Sequence, residues 1–507
     1  MPDSQAACVR PMTAARWKAL DPRTPVVVGV GVATQHVDEP GGGLEAVELM
    51  IAAARAAGDD SGAPGILRAV QRVAVPHGTW SYSDPGRIVA ERIGAPDART
   101  VLVQTGIPQQ TLLNAAHAAI RDGALDVALV VGGEAARRAA LARRAGVAAV
   151  ATVQEGVTPD DLQVPSDEII TRLEIEGGIS SAMAPFALID GALRHAEGRT
   201  LDEHRDEIAR LYAGFSRVAA AFPHAAFPEP RDAAFIREPS QANRPFAFPY
   251  NKWHCAQLFV DQAAAILVCS LEVAVRLGVD PDRIVFPLVA LESSFSLPVS
   301  QRRDLHRWPA MEVLGRAAES HLGQALSEIE LVELYSCFPA AVRVQQRALR
   351  LPIEGVPTLT GGEAFAGGPW NNFVLQTTAA MIEGLRAAPD AKGLVTTLSG
   401  LLNKPGLAVY AMRPGPAPLL LGNLAEQASR ATPRVEVIDG YRGPAQIAAY
   451  TVTYDGMLPA RCTAIADAPG GGRCVATSDD AAFAKAATQE EYIGATVAVD
   501  GTRFTAG

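Results

Sequence analysis

A strand, a glycine-bearing loop, an alanine-rich helix and a further strand follow one another twice in this chain, once in each half, and no other feature limits the fold as much. The first copy runs from a strand at 101–104 through the loop Thr105-Gly106-Ile107-Pro108 and a helix from Gln109 to Asp122, then to a strand from Leu125 to Val131 ending in Gly132-Gly133-Glu134. The second runs from Thr358 to Thr360 through the loop Gly361 to Trp370 and a helix from Asn371 to Leu385, then to a strand from Gly393 to Leu398. An internally duplicated α/β fold would turn the two helix N-termini toward a shared cleft. Free backbone N–H groups there hold an anion or a developing oxyanion in some proteins and only water or a cap in most. Since α/β folds repeat such units in any case, spacing alone does not decide for duplication.

The rest of each half continues the alternation. Pro25 to Gly31 reads as a strand and Leu44 to Ala57 as a helix; Gln262 to Cys269, Ile284 to Leu291 and Ile329 to Leu334 read as strands, and Pro339 to Leu349 as a helix. The pair Gly29 and Gly31 invites a dinucleotide-binding reading, against which Thr34 stands where the third glycine belongs. Residues 135–249 form an elaboration with several helices and the basic cluster Arg137, Arg138, Arg143 and Arg144, either a solvated face or a phosphate contact. Beyond residue 433 come short strands at Arg434 to Ile438, Gln446 to Tyr454, Arg461 to Ile465, Arg473 to Thr477 and Thr496 to Val499, spaced by glycine turns. They predict a small β-barrel of the oligonucleotide/oligosaccharide-binding type or a related sandwich. The domain plan is an N-terminal extension (1–23), a first half (24–281), a second half (282–425) and the β domain (433–507).

A length of 507 residues calls for more than one domain, and a formal charge of −10 argues against a nucleic-acid partner. Six cysteines (Cys8, Cys255, Cys269, Cys337, Cys462 and Cys474) lack CxxC spacing, which predicts reduced thiols, no metal site and a cytoplasmic location. No apolar run is long enough to span a bilayer.

Three stretches, in order, resemble the thiolase superfamily. LVQTGIPQQTLLNAAHAAIRDGALDVALVVGGE (102–134) is similar to the nucleophile segment, VELYSCF (332–338) to the NEAF or HDCF segment of the sterol-carrier-type thiolases, and TGGEAFAGGPWNNFVLQTTAAMIEGLR (360–386) to the glycine-rich segment containing GHP. GLVTTLSG (393–400) resembles the strand that bears the second cysteine, and Asp261-Gln262-Ala263-Ala264-Ala265 resembles DGAAA. The resemblance implies a duplicated α/β/α/β/α thiolase fold with an added C-terminal, all-β domain of the oligonucleotide/oligosaccharide-binding kind. Relatives with such a domain are often labelled acetyl-CoA acetyltransferases.

In that register the nucleophilic cysteine falls at Gly106, the GHP imidazole at Gly368, the NEAF asparagine or HDCF histidine at Tyr335, and the second cysteine near Ser399. Thiolysis needs a thiolate and its base, and glycine supplies neither, so conventional thiolase activity is not expected. The resemblance implies an acyl-CoA or lipid-like ligand, with coenzyme A as part of the substrate and no permanently bound cofactor, and a homodimer. Candidate substrate contacts are Gly106, Gly367, Gly368, Asn371, Asn372 and Gly400, the asparagines serving equally well as helix caps.

Two functions stay open. One is an altered enzyme, such as a retro-aldol carbon–carbon lyase, in which Tyr335 and Ser399 carry the chemistry and neighbouring dipoles lower the Tyr335 pKa. The superfamily's steroid side-chain aldolases also place tyrosine in this motif, but use a second tyrosine where this chain has Phe365. The other is a non-catalytic acyl-CoA or lipid-binding protein, with Arg137, Arg138, Arg302 or Arg303 near the phosphates.

Overall fold

A computed structural model describes residues 20–179 and 181–506. Most of the expected N-terminal extension, Cys8 included, lies outside the described residues. The first half supplies β1 (Pro25–Gln35), β2 (Arg72–Pro76), β3 (Arg99–Val103), β4 (Val127–Ala135), β5 (Asp161–Gln163), the hairpin of β6 (Pro245–Ala247) and β7 (Tyr250–Asn251), and β8 (Asp261–Ser270). The second supplies β9 (Phe286–Glu292), β10 (Leu331–Glu333), β11 (Lys392–Ser399), β12 (Lys404–Ala411) and β13 (Leu420–Asn423).

One sheet has the order β1-β8-β4-β2-β3-β5 and the other β10-β11-β12-β9-β13. Followed from β9, the second runs β9-β12-β11-β10, the counterpart of β1-β8-β4-β2. Directions agree as well: β8 is antiparallel to β1 and β4, as β12 is to β9 and β11, while β4 runs parallel to β2 and β11 to β10. The duplication is therefore a property of the fold.

The helices Gln109–Arg121 and Phe373–Ala387 lie between the sheets and pack on both. Helix Ala46–Ser61 covers the outer face of the first sheet and Pro309–Leu322 that of the second, completing the α/β/α/β/α order. β8 shows why its sequence is an unbroken apolar run: Ala263, Ala265, Leu267 and Cys269 face the outer layer, and Ala264, Ile266 and Val268 the central one. Gly29 and Gly31 serve packing, because a Cβ on either would overlap the carbonyl oxygens of Ala57 and Ala53 on the covering helix.

Two local expectations need correction. Thr358 to Thr360 is not a strand: the Leu359 and Thr360 amides donate to the buried Glu333 carboxyl at 2.6 and 3.1 Å instead of to a strand partner. Arg434 to Ile438 forms only isolated bridges, to Arg302 and Arg473. The barrel is built from β14 (Arg442–Asp455), β15 (Leu458–Asp467), β16 (Arg473–Ser478), β17 (Thr496–Asp500) and the unforeseen β18 (Arg503–Ala506). The long β14 pairs with both β15 and β17 and closes the ring β14-β15-β16-β18-β17.

The segment between β4 and β6 is only partly helical. It also sends β5 onto the outer edge of β3, in parallel pairing. The hairpin that follows it joins the barrel where Ala247 pairs with Thr453. Among the described residues no helix is long and apolar enough to cross a membrane, and Cys255, Cys269, Cys337, Cys462 and Cys474 are free, buried thiols.

Candidate functional site

The starts of the two central helices meet side by side. Gln109 Nε2 donates to Asn371 Oδ1 at 2.5 Å, and the Trp370 indole N–H reaches Thr105 Oγ1 at 3.4 Å. Asn372, at 2% exposure, has neither side-chain atom hydrogen-bonded among the described residues, and Asn371 Nδ2 is also buried without a partner. A Cβ on Gly132 would stand 2.7 Å from Asn372 Oδ1, so this glycine within β4 makes the room that the amide occupies. Neither asparagine caps its helix through its side chain, which removes the capping alternative.

Gly106 has φ +104°, and its carbonyl accepts a hydrogen bond from Lys404 Nζ at 3.2 Å. The Cβ direction of Gly106 meets Pro165 Cγ at 3.2 Å and Ile169 Cδ1 at 3.3 Å, both from the segment that follows β5. Ile169 also stands 3.0 Å from the Cβ direction of Gly400, itself at φ +74°. Asn403 fixes the turn there, accepting from the Leu401 amide at 2.6 Å and donating to Ser296 Oγ at 3.0 Å. Ser399 is paired with Lys404 across β11 and β12. Gly106, Ser399 and Gly400 are thus gathered around Lys404 and Ile169.

Tyr335, Gly367 and Gly368 define a neighbouring group. The Tyr335 amide donates to Thr396 Oγ1 at 2.9 Å, and its ring meets Phe373 edge-on at 5.9 Å. Gly367 has φ +104°, and a Cβ there would overlap Gln262 Oε1. Gly368 donates its N–H to the Gln257 carbonyl at 3.0 Å, and its Cβ direction meets Ala256 Cβ at 3.2 Å and Glu363 Oε2 at 3.3 Å. Phe365 faces elsewhere, stacked on Trp253 with ring centroids 5.5 Å apart.

This group holds unusual proton affinities. Burial, with the charge of nearby Glu333 added, pushes the Glu363 carboxyl up to about 8. Burial and the Glu363 charge hold the Tyr335 phenol well above its ordinary value, and burial does the same to the Cys337 thiol. The expected lowering of Tyr335 is therefore reversed: the phenol keeps its proton at neutral pH. Glu333, wholly buried and raised to about 7, accepts from Thr358, Leu359 and Thr360 and serves the loop.

The candidate arginines are partly consumed within the fold. Arg138 donates to the carbonyls of Gly42, Gly43 and Val150, Arg137 to that of Val37, and Arg302 to those of Leu297 and Leu401. Arg143, Arg144 and Arg303 remain exposed. Sequence reasoning missed Glu363 and Lys404, 3% exposed each. Each is a lone charge inside an otherwise uncharged stretch, GGEAFAGG and the run into β12, and that was the available signal.

The fold is thiolase-like. No family model matches the chain, and no curated relative matches it. Among solved structures it is similar to the monomeric SCP2-thiolase-like protein type 1 of Mycobacterium smegmatis, at 29% identity and a TM-score of 0.80 over 96% of this chain and 100% of that one. The dimeric peroxisomal thiolase of Saccharomyces cerevisiae shares the fold at 14% identity and a TM-score of 0.54, covering 78% of this chain and 99% of that one. The Ltp2-ChsH2(DUF35) aldolase shares it at 19% identity and a TM-score of 0.54, covering 77% and 99%.

Proposed function

We propose that this chain binds acyl thioesters of coenzyme A at the meeting point of the two central helices, without the covalent step of a thiolase. Gly106 carries this reading. It offers no nucleophile, and Pro165 and Ile169, at 3.2 and 3.3 Å from its Cβ direction, take the room a side chain there would use. Gly368 offers no imidazole, so thiolysis lacks both of its first two groups. Asn371 Nδ2 and Asn372 Nδ2, buried and without a partner among the described residues, supply donors suited to a thioester carbonyl. Coenzyme A enters as part of the ligand, and no resident cofactor is required.

A retro-aldol carbon–carbon lyase is the second reading, favoured by Tyr335, whose raised proton affinity suits it to donate a hydrogen bond to a developing oxyanion. We also infer a monomer. The Mycobacterium smegmatis protein, similar over 96% of this chain, is described as monomeric, which counts against the homodimer expected from sequence.

Calorimetric titration with acetyl-CoA and longer acyl-CoA esters tests the main reading, with intact-mass measurement on the same mixtures. Saturable binding without an acylated protein is the expected result. An acyl adduct or thiolysis turnover would overturn it, and retro-aldol turnover lost in Tyr335→Phe would decide for the lyase.

A further inference from the structure

At Gly368, where the resemblance places an imidazole, a carboxyl stands beside the backbone, supplied from elsewhere in the chain. Glu363 belongs to the short helix Gly362–Phe365, and its backbone is held from two sides: its amide donates to Ser336 Oγ at 3.1 Å and its carbonyl accepts from the Gln257 amide at 3.0 Å. The same Gln257 accepts from the Gly368 amide at 3.0 Å, so Glu363 and Gly368 are fixed to one support. Glu363 Oε2 ends 3.3 Å from the Cβ direction of Gly368, where a side chain of residue 368 would begin. Glu363 is 3% exposed, and its Oε1 has no hydrogen-bond partner among the described residues. A buried carboxyl oxygen left unpaired costs stability unless something else uses it.

We infer that Glu363 is the acid/base group of this site, taking a proton from C2 of a bound acyl thioester. This rests on the thioester-binding reading above. In the step, the C2–H bond breaks, an O–H bond forms on the Glu363 carboxylate, and the electron pair passes into the thioester enolate. The reverse step returns a proton to C2, so no oxidant, reductant or further reactant is consumed. Tyr335, beside Glu363 and still bearing its phenolic proton, is placed as the neutral donor of the pair. A proton affinity near 8 suits a base that must ionise at neutral to mildly alkaline pH.

The test is exchange of the C2 hydrogens of acetyl-CoA in D2O, followed by NMR with the full chain, next to calorimetric binding of acetyl-CoA to the same samples. Wild-type protein is expected to incorporate deuterium with a rate that climbs with pH and levels above about 8. Glu363→Gln should bind acetyl-CoA and slow exchange by about 100-fold or more. Binding without exchange in the wild type, or equal exchange in folded Glu363→Gln, overturns the assignment while leaving the binding reading intact. Loss of binding in the wild type overturns both. Should Glu363→Gln fail to fold, Glu363→Asp decides: a slowed rate with a displaced pH profile supports the role, and an unchanged rate and profile refute it.

Discussion

Lys404 donates its ammonium to the carbonyl oxygen of Gly106 across 3.2 Å, tying the start of β12 to the loop before the first central helix. The Lys404 side chain is 4% exposed, and its nearest carboxylate, Asp167, lies 3.6 Å away on the segment that covers Gly106. One cation therefore holds the loop and its cover together. Lys404→Met leaves the Gly106 carbonyl without this charged donor and is expected to cost about 1.5–3 kcal/mol in urea denaturation. Asp167→Asn, on an exposed partner, is expected to cost well under 1 kcal/mol, roughly the value of a surface pair. Equal losses from the two variants would contradict this division.

Restoring a cysteine at position 106 should not restore a thiolase. A non-glycine residue at φ +104° is strained, and the new Cβ would press on Pro165 and Ile169 at 3.2 and 3.3 Å. Gly106→Cys is expected to lower stability by about 1–3 kcal/mol and to yield no acyl adduct by intact mass after incubation with acetyl-CoA. Adding Ile169→Ala should recover part of the loss by freeing the contact, and an acyl adduct in the single variant would contradict the prediction.

The framework was legible in the sequence because strands buried on both faces must be apolar throughout, as β8 and β9 are. Thr358 to Thr360 misled because β-branched residues suit a strand, whereas here their amides and hydroxyls answer the Glu333 carboxyl. Gly106 and Gly368 were legible through the order of the motifs around them. Pro165 and Ile169 were not, since they lie in a stretch without helical or strand periodicity. Glu363 needed its burial to be known before its charge meant anything: an exposed glutamate in the same short helix would be unremarked.

Stability should fall as pH rises through neutrality. Glu363, raised to about 8, holds a proton in the folded chain that the unfolded chain releases near 4.5. Its contribution is thus fully present below about pH 4.5 and is lost as pH climbs toward 8. Glu134 and Glu333, each raised to about 7, act in the same direction over a narrower window. Glu363→Gln removes one titrating group, so its stability should fall less steeply between pH 5 and 8, by on the order of 1 kcal/mol per pH unit. Urea midpoints measured at each pH check this, and parallel pH profiles for the two proteins would rule it out.

Arg473 links the barrel to the same region of the core. Its guanidinium, 4% exposed, donates to Asp467 at 2.7 Å and to the backbone carbonyls of Arg302 and Arg303. Arg302 in turn donates to the Leu401 carbonyl at 2.7 Å, one residue beyond Gly400. The barrel thereby supports the β11–β12 turn through two buried arginines that both donate to backbone carbonyls. Arg473→Ala leaves those carbonyls unpaired and is expected to cost about 2–3 kcal/mol, with faster amide hydrogen exchange at Leu401 as well as within the barrel. Faster exchange confined to the barrel would mean that the turn at Gly400 stands without it.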